Sequence, residues 1–268
     1  MEKSITFVIP AYNADPYLKK CLDSFWDTTV TDKIEVLIVN DGSSDLTDQI
    51  AQAYVKRNPD MYKLINKENG GHGSVINIGS KLASGKYFKV IDADDWVVTD
   101  NLAAFVECLD KCDADIVLTP FHMIHMINGK KKEYRIKTEY DSTYIGLKEV
   151  IHNWGEFEDC MVFHGITYRT VFYRENYYEL PEHIFYEDQI HSAIPCCHAV
   201  SIYVKDLFIY QYMVGNMEQS ISAANQLKRI QHIEMVADAM LDYYTLNSNL
   251  IEDAGTFLLW KIENVVLI

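Results

Sequence analysis

The chain has 268 residues, with 24 lysines and arginines against 39 aspartates and glutamates, for a formal net charge of −15. That balance argues against nucleic acid as a partner and against unaided docking on an anionic membrane surface. The length suffices for a sizeable core, as one large domain or two small ones.

Met1-Glu2-Lys3-Ser4 leads directly into a strand-like run, so no signal peptide is expected, and no apolar stretch approaches the roughly 20 residues that span a bilayer. Ile5–Ile9 is apolar and β-branched, Pro10-Ala11-Tyr12-Asn13 breaks it, and Asp15–Trp26 carries a helical pattern. Glu35–Val39 is a second apolar run, followed by Asp41-Gly42-Ser43-Ser44-Asp45 and a helix through about Arg57. Tyr62–Ile65, a helix over Ser74–Ala83 and the run Tyr87–Ile91 complete the first hundred residues. Strands separated by helices imply βαβ crossovers and a mostly parallel sheet buried on both faces. The polar, Gly-rich segments all follow strands, at the edge where open α/β sheets bind ligands.

Beyond Asp100, Ala114–Leu118 reads as a strand, and His122–Ile127 with Tyr134–Lys137 as a hairpin around Asn128-Gly129. Leu147–Trp154 and Glu187–Cys197 read as helices, as do residues from about Ala223 onward, with a break near Asn247-Ser248-Asn249. The apolar end Val265-Val266-Leu267-Ile268 suggests a truncated chain or a covered surface. None of the six cysteines shows paired metal spacing, and Cys108 with Cys112 at i,i+4 fits core packing better than a zinc half-site. A reduced, cytoplasmic compartment is the simplest reading, with peripheral docking at the inner face of the membrane as its variant.

The densest chemistry lies in Asp92-Ala93-Asp94-Asp95. In an extended backbone Asp92 and Asp94 would share a face, roughly 6.6 Å apart, one reaching a ligand hydroxyl and the other a divalent cation. Hard oxygen ligands suit Mg²⁺ or Mn²⁺. A purely structural alternative makes Asp94 or Asp95 the cap of a helix after Trp96, and Asp95 is the better candidate for that duty. Asp41, an acceptor when ionised, would favour a base with an N–H donor, such as uracil or guanine, over cytosine. The alternative for Asp41 is a turn residue or N-cap. Tyr12 offers an aromatic face. In Lys67-Glu68-Asn69-Gly70-Gly71-His72-Gly73 the glycines allow close backbone approach, though the spacing fits neither a P-loop nor GxGxxG. His72 would contact the ligand or simply stand in solvent.

Together, Phe7-Val8-Ile9-Pro10-Ala11-Tyr12-Asn13, Val39-Asn40-Asp41-Gly42-Ser43-Ser44-Asp45, Glu68-Asn69-Gly70-Gly71 and Ile91-Asp92-Ala93-Asp94-Asp95 resemble the family 2 glycosyltransferases of GT-A fold. The resemblance implies a nucleotide-sugar donor, a UDP-sugar on the Asp41 argument. Pro10, Ala11, Tyr12 and Asn13 would line the nucleoside, and Asn69, Gly70 and Gly71 would approach the donor. Asp92-Ala93-Asp94 would be the DxD element, with Asp92 near the ribose and Asp94 on an Mn²⁺ or Mg²⁺ that bridges the diphosphate. One departure stands out: many members carry arginine before the asparagine of the helix after Gly-Gly, where this chain has Ile76 before Asn77.

Phe185-Tyr186-Glu187-Asp188-Gln189 resembles the family's Glu-Asp element, which makes Asp188 the expected catalytic base of an inverting transfer and Glu187 a neighbour that raises its pKa. The alternative is an acidic pair that favours a helix N-terminus. Tyr210–Ser222 resembles the late loop that closes over the diphosphate, with Asn216 and Gln219 where relatives carry Arg or His, and with Ser220 and Ser222 as donors to phosphate oxygens. His164 is a further candidate for the acceptor side or the metal shell, against a hydrogen-bonded core histidine.

These readings give an α/β, GT-A domain over residues 1–222, divided into a nucleotide-sugar-binding half (1–100) and an acceptor-binding half (101–222). A helical extension follows over 223–268. The expected reaction moves a sugar to a hydroxyl of a bacterial cell-surface polysaccharide, or of a lipid-linked or protein-linked glycan. The C-terminal helices are candidates for contact with a membrane or a second subunit. Two other readings compete: a non-catalytic sugar-nucleotide-binding module, and a nucleotidyltransferase or metal-dependent phosphohydrolase, of which the nucleotidyltransferase would want a basic Gly-rich loop after its first strand.

Overall fold

Strand β1 (Ile5–Ala11) and β2 (Ile34–Asn40) are buried along their whole lengths in the computed structural model, which describes residues 2–215, 229–247 and 250–267. Continuous burial is what near-unbroken apolar runs produce when helices cover both faces of a parallel sheet. Helices α1 (Asp15–Ser24), α2 (Thr47–Arg57) and α3 (His72–Leu82) alternate with β3 (Tyr62–Asn66) and β4 (Tyr87–Val90). Strands β3, β2, β1 and β4 lie side by side in that order and all run parallel. Chain order therefore reverses at β1 and β4, the kind of switch point outside which α/β ligands bind.

The second half departs more from expectation. The acidic stretch does not lead into a helix: β5 (Trp96–Val97) follows, then a single 3₁₀ turn and α4 (Leu102–Lys111). The main sheet continues past β4 with β10 (Ile166–Arg169), β6 (Ile116–Leu118), β11 (Ile202–Val204) and β9 (Thr143–Ile145). β10 is antiparallel to both its neighbours. Buried Lys89 on β4 braces the approach to β10, its Nζ donating to the carbonyls of His164 (2.7 Å) and Ile166 (2.9 Å), and burial lowers its pKa to about 7. A second sheet has the order β5, β12 (Tyr210–Val214), β7 (Phe121–His125), β8 (Lys131–Tyr134).

The hairpin turns around Asn128-Gly129, but its second strand lies at Lys131–Tyr134, three residues before the expected start. Gly129 has φ of 64° and its N–H bonds back to His125, which brings the chain round at once. The helix expected over Leu147–Trp154 ends at His152, and a short turn of helix, α6 (Trp154–Phe157), follows α5 (Leu147–His152). The helix expected over Glu187–Cys197 is also broken: after α7 (Thr170–Glu175), α8 covers only Asp188–His191, and Pro195 starts a separate 3₁₀ turn. Proline cannot donate the backbone bond that a continuous helix would need there.

Two longer helices close the chain, α9 (Ile230–Leu246) and α10 (Glu252–Val266). Trp154 of α6 packs on Phe257 and Trp260 of α10, with ring centroids 5.8 and 5.5 Å apart. Lys261 of α10 is buried and donates to the Met161 carbonyl at 3.0 Å. No helix among the described residues is long and apolar enough to cross a membrane.

Candidate functional site

At the carboxyl ends of β1, β2 and β4 lies a cleft of about 530 Å³, lined by Pro10 to Ala14, Asp41, Asn69, Gly71, His72 and Asp92 to Asp94, and by His183 to Phe185 from the second half of the chain. That size accommodates a small organic ligand. Tyr12 keeps 56% of its surface exposed, so its ring is open to a flat partner. Asn13, with φ of 46°, accepts from the Ser44 N–H at 2.9 Å and joins the loop after β1 to the loop after β2.

Asp41 is buried, and its carboxylate is already heavily used. One oxygen accepts from Lys67 Nζ (2.6 Å) and the Gly70 N–H (2.9 Å), the other from Asn69 Nδ2 (3.1 Å) and the Gly71 N–H (2.8 Å). A carboxylate offers about four lone-pair positions, so a base N–H would have to share an oxygen that accepts twice. Asp41 is thus the post around which the Gly loop folds. Gly71 has φ of 83°, a conformation that costs a side-chain-bearing residue dearly.

The expectation of Asp92 and Asp94 on one strand face is corrected. β4 ends at Val90, and Asp92 to Asp95 form a turn closed by the Asp95 N–H to the Asp92 carbonyl at 3.0 Å. The turn gathers carboxylate oxygens of Asp92, Asp94 and Asp95 within 4.8 Å of one another. Nor is Asp95 a helix cap. Its buried carboxylate accepts from the Tyr210 hydroxyl (2.6 Å) and the Met213 N–H (2.7 Å), which pins the turn to β12. Burial, and then the charges of Asp94 and Asp92, push its pKa well above the usual carboxylate range. Asp94 stands half-exposed on the cleft wall.

His72 does not sit in a solvated loop. It is the first residue of α3, with Nε2 2.8 Å from Asp92 Oδ1 and Nδ1 2.6 Å from Glu187 Oε1. Burial alone would lower its pKa, but the two carboxylates outweigh that and hold it well above the ordinary histidine value. Asp92 is correspondingly lowered against its own burial. Glu187 is buried and immediately precedes α8, whose first residue is Asp188. Burial, then Glu187, pushes Asp188 up to about 6. The cleft lining ends at Phe185, three residues before Asp188. Still, Asp188 lies within electrostatic reach of the acidic turn, since the charge of Asp92 adds to its raised pKa. His164 stacks on Tyr212 at 4.1 Å, and burial lowers its pKa to about 4, which leaves a neutral imidazole close to Asp92.

Sequence reasoning missed the seam between the Gly loop and residues 180–187. Asn77 exchanges hydrogen bonds with the backbone of Leu180 at 2.9 and 3.0 Å, and the His183 N–H donates to the Gly70 carbonyl at 2.8 Å. A Cβ on Gly73 would lie 2.6 Å from the Pro181 carbonyl oxygen and 3.0 Å from Glu187 Cγ. The glycines flanking His72 were the available signal of close approach. The Tyr210 contact to Asp95, 115 residues away, had none. Ile76 is fully buried and presents nothing to the cleft. Asn216, Gln219, Ser220 and Ser222 lie outside the described residues.

Residues 6–186 match the family model described as glycosyl transferase family 2. The uncharacterized glycosyltransferase EpsJ of Bacillus subtilis is 35% identical over 118 residues, covering 44% of this chain and 34% of that protein. The minor teichoic acid biosynthesis protein GgaB of the same organism is 30% identical over 151 residues, covering 54% of this chain and 16% of that protein. The aligned part is thus a minor share of either relative's length. Among solved structures, S. aureus TarS 1–349 in complex with UDP-GlcNAc superposes with a TM-score of 0.70 at 23% identity, covering 98% of this chain and 72% of that one. The mannosyltransferase PcManGT from Pyrobaculum calidifontis, in complex with GDP-Man and Mn²⁺, gives 0.64 at 16% identity, covering 100% and 74%. These likenesses carry the fold, which is GT-A.

Proposed function

This chain belongs to glycosyl transferase family 2, and we propose that it is a metal-dependent, inverting glycosyltransferase that moves a sugar from a UDP-sugar to a glycan hydroxyl. The observation that carries this reading is the cluster of carboxylates at Asp92 to Asp95 beside the cleft at the carboxyl edge of β1 and β4, with Asp188 within electrostatic reach of Asp92. Tyr12 takes the base on its ring, Pro10, Ala11 and Asn13 flank the nucleoside, and Asp92 meets the ribose. Asn69, Gly70 and Gly71 bring backbone to the donor, with any base N–H sharing an oxygen of Asp41.

The donor set fits Mn²⁺ or Mg²⁺: three carboxylates converge, and hard oxygens are what these ions take. Asp94, which lines the cleft within this group, is the residue that would hold the ion, as the family resemblance implies. A bound ion supplies Lewis-acid stabilisation of the departing diphosphate. Asp188 accepts the proton of the acceptor hydroxyl as that oxygen bonds to the anomeric carbon and the bond from that carbon to the nucleotide breaks. Its pKa, pushed up to about 6, leaves it ionised at neutral pH and more basic than an exposed aspartate.

The UDP-GlcNAc complex of TarS supports a UDP-sugar donor, the Mn²⁺ complex of PcManGT supports the metal, and the name of GgaB supports a bacterial surface glycan as acceptor. All six cysteines are unpaired, which suits a reducing compartment. The test is a panel of UDP- and GDP-sugars with Mn²⁺ or Mg²⁺, scored for nucleotide release. Asp188→Asn is expected to lose turnover and keep donor binding; unimpaired turnover removes Asp188 from the base role. Metal-dependent binding with no release from any donor would instead favour a binding module, a reading to which buried Ile76, with no charge for the cleft, also speaks.

A further inference from the structure

The donor cleft and the helix that starts at Asp188 come from opposite halves of the chain, and one side chain joins them. His72 reaches Asp92 with one ring nitrogen and Glu187 with the other, at 2.8 and 2.6 Å, across sequence separations of 20 and 115 residues. Carboxylates only accept hydrogen bonds when ionised. Without a donor between them, these two would face each other with like charge, and Glu187 would be left buried without the bond that His72 gives it. The backbone around the histidine is shaped for this approach. Gly73 leaves no room for a side chain between α3 and the Pro181–Glu187 segment, while the Asn77–Leu180 pair and the Gly70–His183 bond fix the same seam on either side.

We propose that His72 is a positioning residue: its imidazole is the strut that holds Glu187, and with it the first turn of the helix carrying Asp188, against the acidic turn of the donor site. This rests on the reading of Asp188 as the base. Both ring nitrogens of His72 are spent on the strut, so it acts on the reaction through Glu187 and Asp188 and not through a hydrogen bond to the donor. A displacement of Asp188 of order 1 Å costs roughly 100-fold in rate, whereas Asn13, next to Tyr12, is anchored by Ser43 and Ser44 through bonds in which His72 takes no part.

The test uses the full chain as wild type, His72→Ala, Glu187→Ala and the double variant. Binding of UDP with Mg²⁺ is measured by calorimetry, and turnover as hydrolysis of whichever UDP-sugar the wild type cleaves. We expect His72→Ala to keep the UDP Kd within about threefold and to lower kcat by roughly 30- to 100-fold. Glu187→Ala should do the same, and the double variant should be no slower than the worse single one. A Kd raised more than tenfold with kcat retained would make His72 a donor contact and overturn the proposal, as would losses that multiply in the double variant. Hydrogen exchange supplies a readout free of turnover: His72→Ala should speed exchange over residues 183–191 and leave the strands β1 and β2 unchanged, and unaltered exchange over 183–191 would refute the strut. An active Asp188→Asn would defeat the base assignment alone, since the exchange result and the coupling of His72 to Glu187 do not depend on it.

Discussion

Replacing Asp188 by asparagine should stabilise the fold while it ends turnover. The carboxyl is half-buried, and burial together with Glu187 pushes its pKa up to about 6, against roughly 3.9 in an unfolded chain. Two units correspond to about 3 kcal/mol of penalty on the charged form, and partial solvent contact brings the expected figure down to ~1–2 kcal/mol. The sign follows from the raised pKa. Below about pH 4 both states are protonated and the penalty is absent; between about 4 and 6 the unfolded chain loses its proton first, so native stability falls with rising pH; above about 6 the penalty is complete. The asparagine side chain is uncharged throughout and can still accept the 3.3 Å bond that Gln189 gives Asp188. Urea unfolding at pH 7.5 should therefore show the variant more stable by ~1–2 kcal/mol, with a Tm higher by about 3–6 °C, and the advantage should vanish at pH 4. A variant less stable than wild type at pH 7.5, or equally favoured at both pH values, would refute the reasoning.

Turnover of the wild type should fall about tenfold per pH unit below about 6, as Asp188 takes up the proton it must be free to accept; a profile flat down to pH 5 would contradict the role. Gly73→Ala should cost about 1–3 kcal/mol in urea unfolding, because its Cβ would lie 2.6 Å from a backbone oxygen that cannot move away cheaply. Tyr210→Phe removes the hydroxyl that donates to buried Asp95 and accepts from the Asp92 N–H. It should destabilise by ~1–3 kcal/mol and weaken UDP binding in the presence of metal, both readable on one protein preparation by unfolding and calorimetry.

The first hundred residues are legible because Ile5–Ala11 and Ile34–Asn40 are nearly continuous apolar runs and a polar loop follows each. Residue pattern alone was enough to place Asp41, the Gly loop and the aspartates at one sheet edge. The second half resisted for two reasons. Its strands are short, Thr143–Ile145 and Ile202–Val204 being three residues each, so periodicity has little to act on. Its contacts with the acidic turn are also long-range: nothing near Asp95 announces that Tyr210 and Met213 will hold it, so a turn aspartate there reads as a cap. Asp41 illustrates a different limit. Its position was correctly placed, but the four donors that occupy its carboxylate come from a loop whose conformation no local pattern specified. For His72 the sequence leaves ligand contact and solvent exposure both open, and its two partners can be seen only once the halves are folded together.

Calorimetry of UDP binding with and without Mn²⁺, on wild type and Asp94→Asn, tests the donor site most directly. The account predicts that the ion tightens UDP binding to the wild type by tenfold or more, about 1.4 kcal/mol, and that this gain is lost in the variant while metal-free binding is unchanged. Equal affinity with and without the ion, in both proteins, would contradict it.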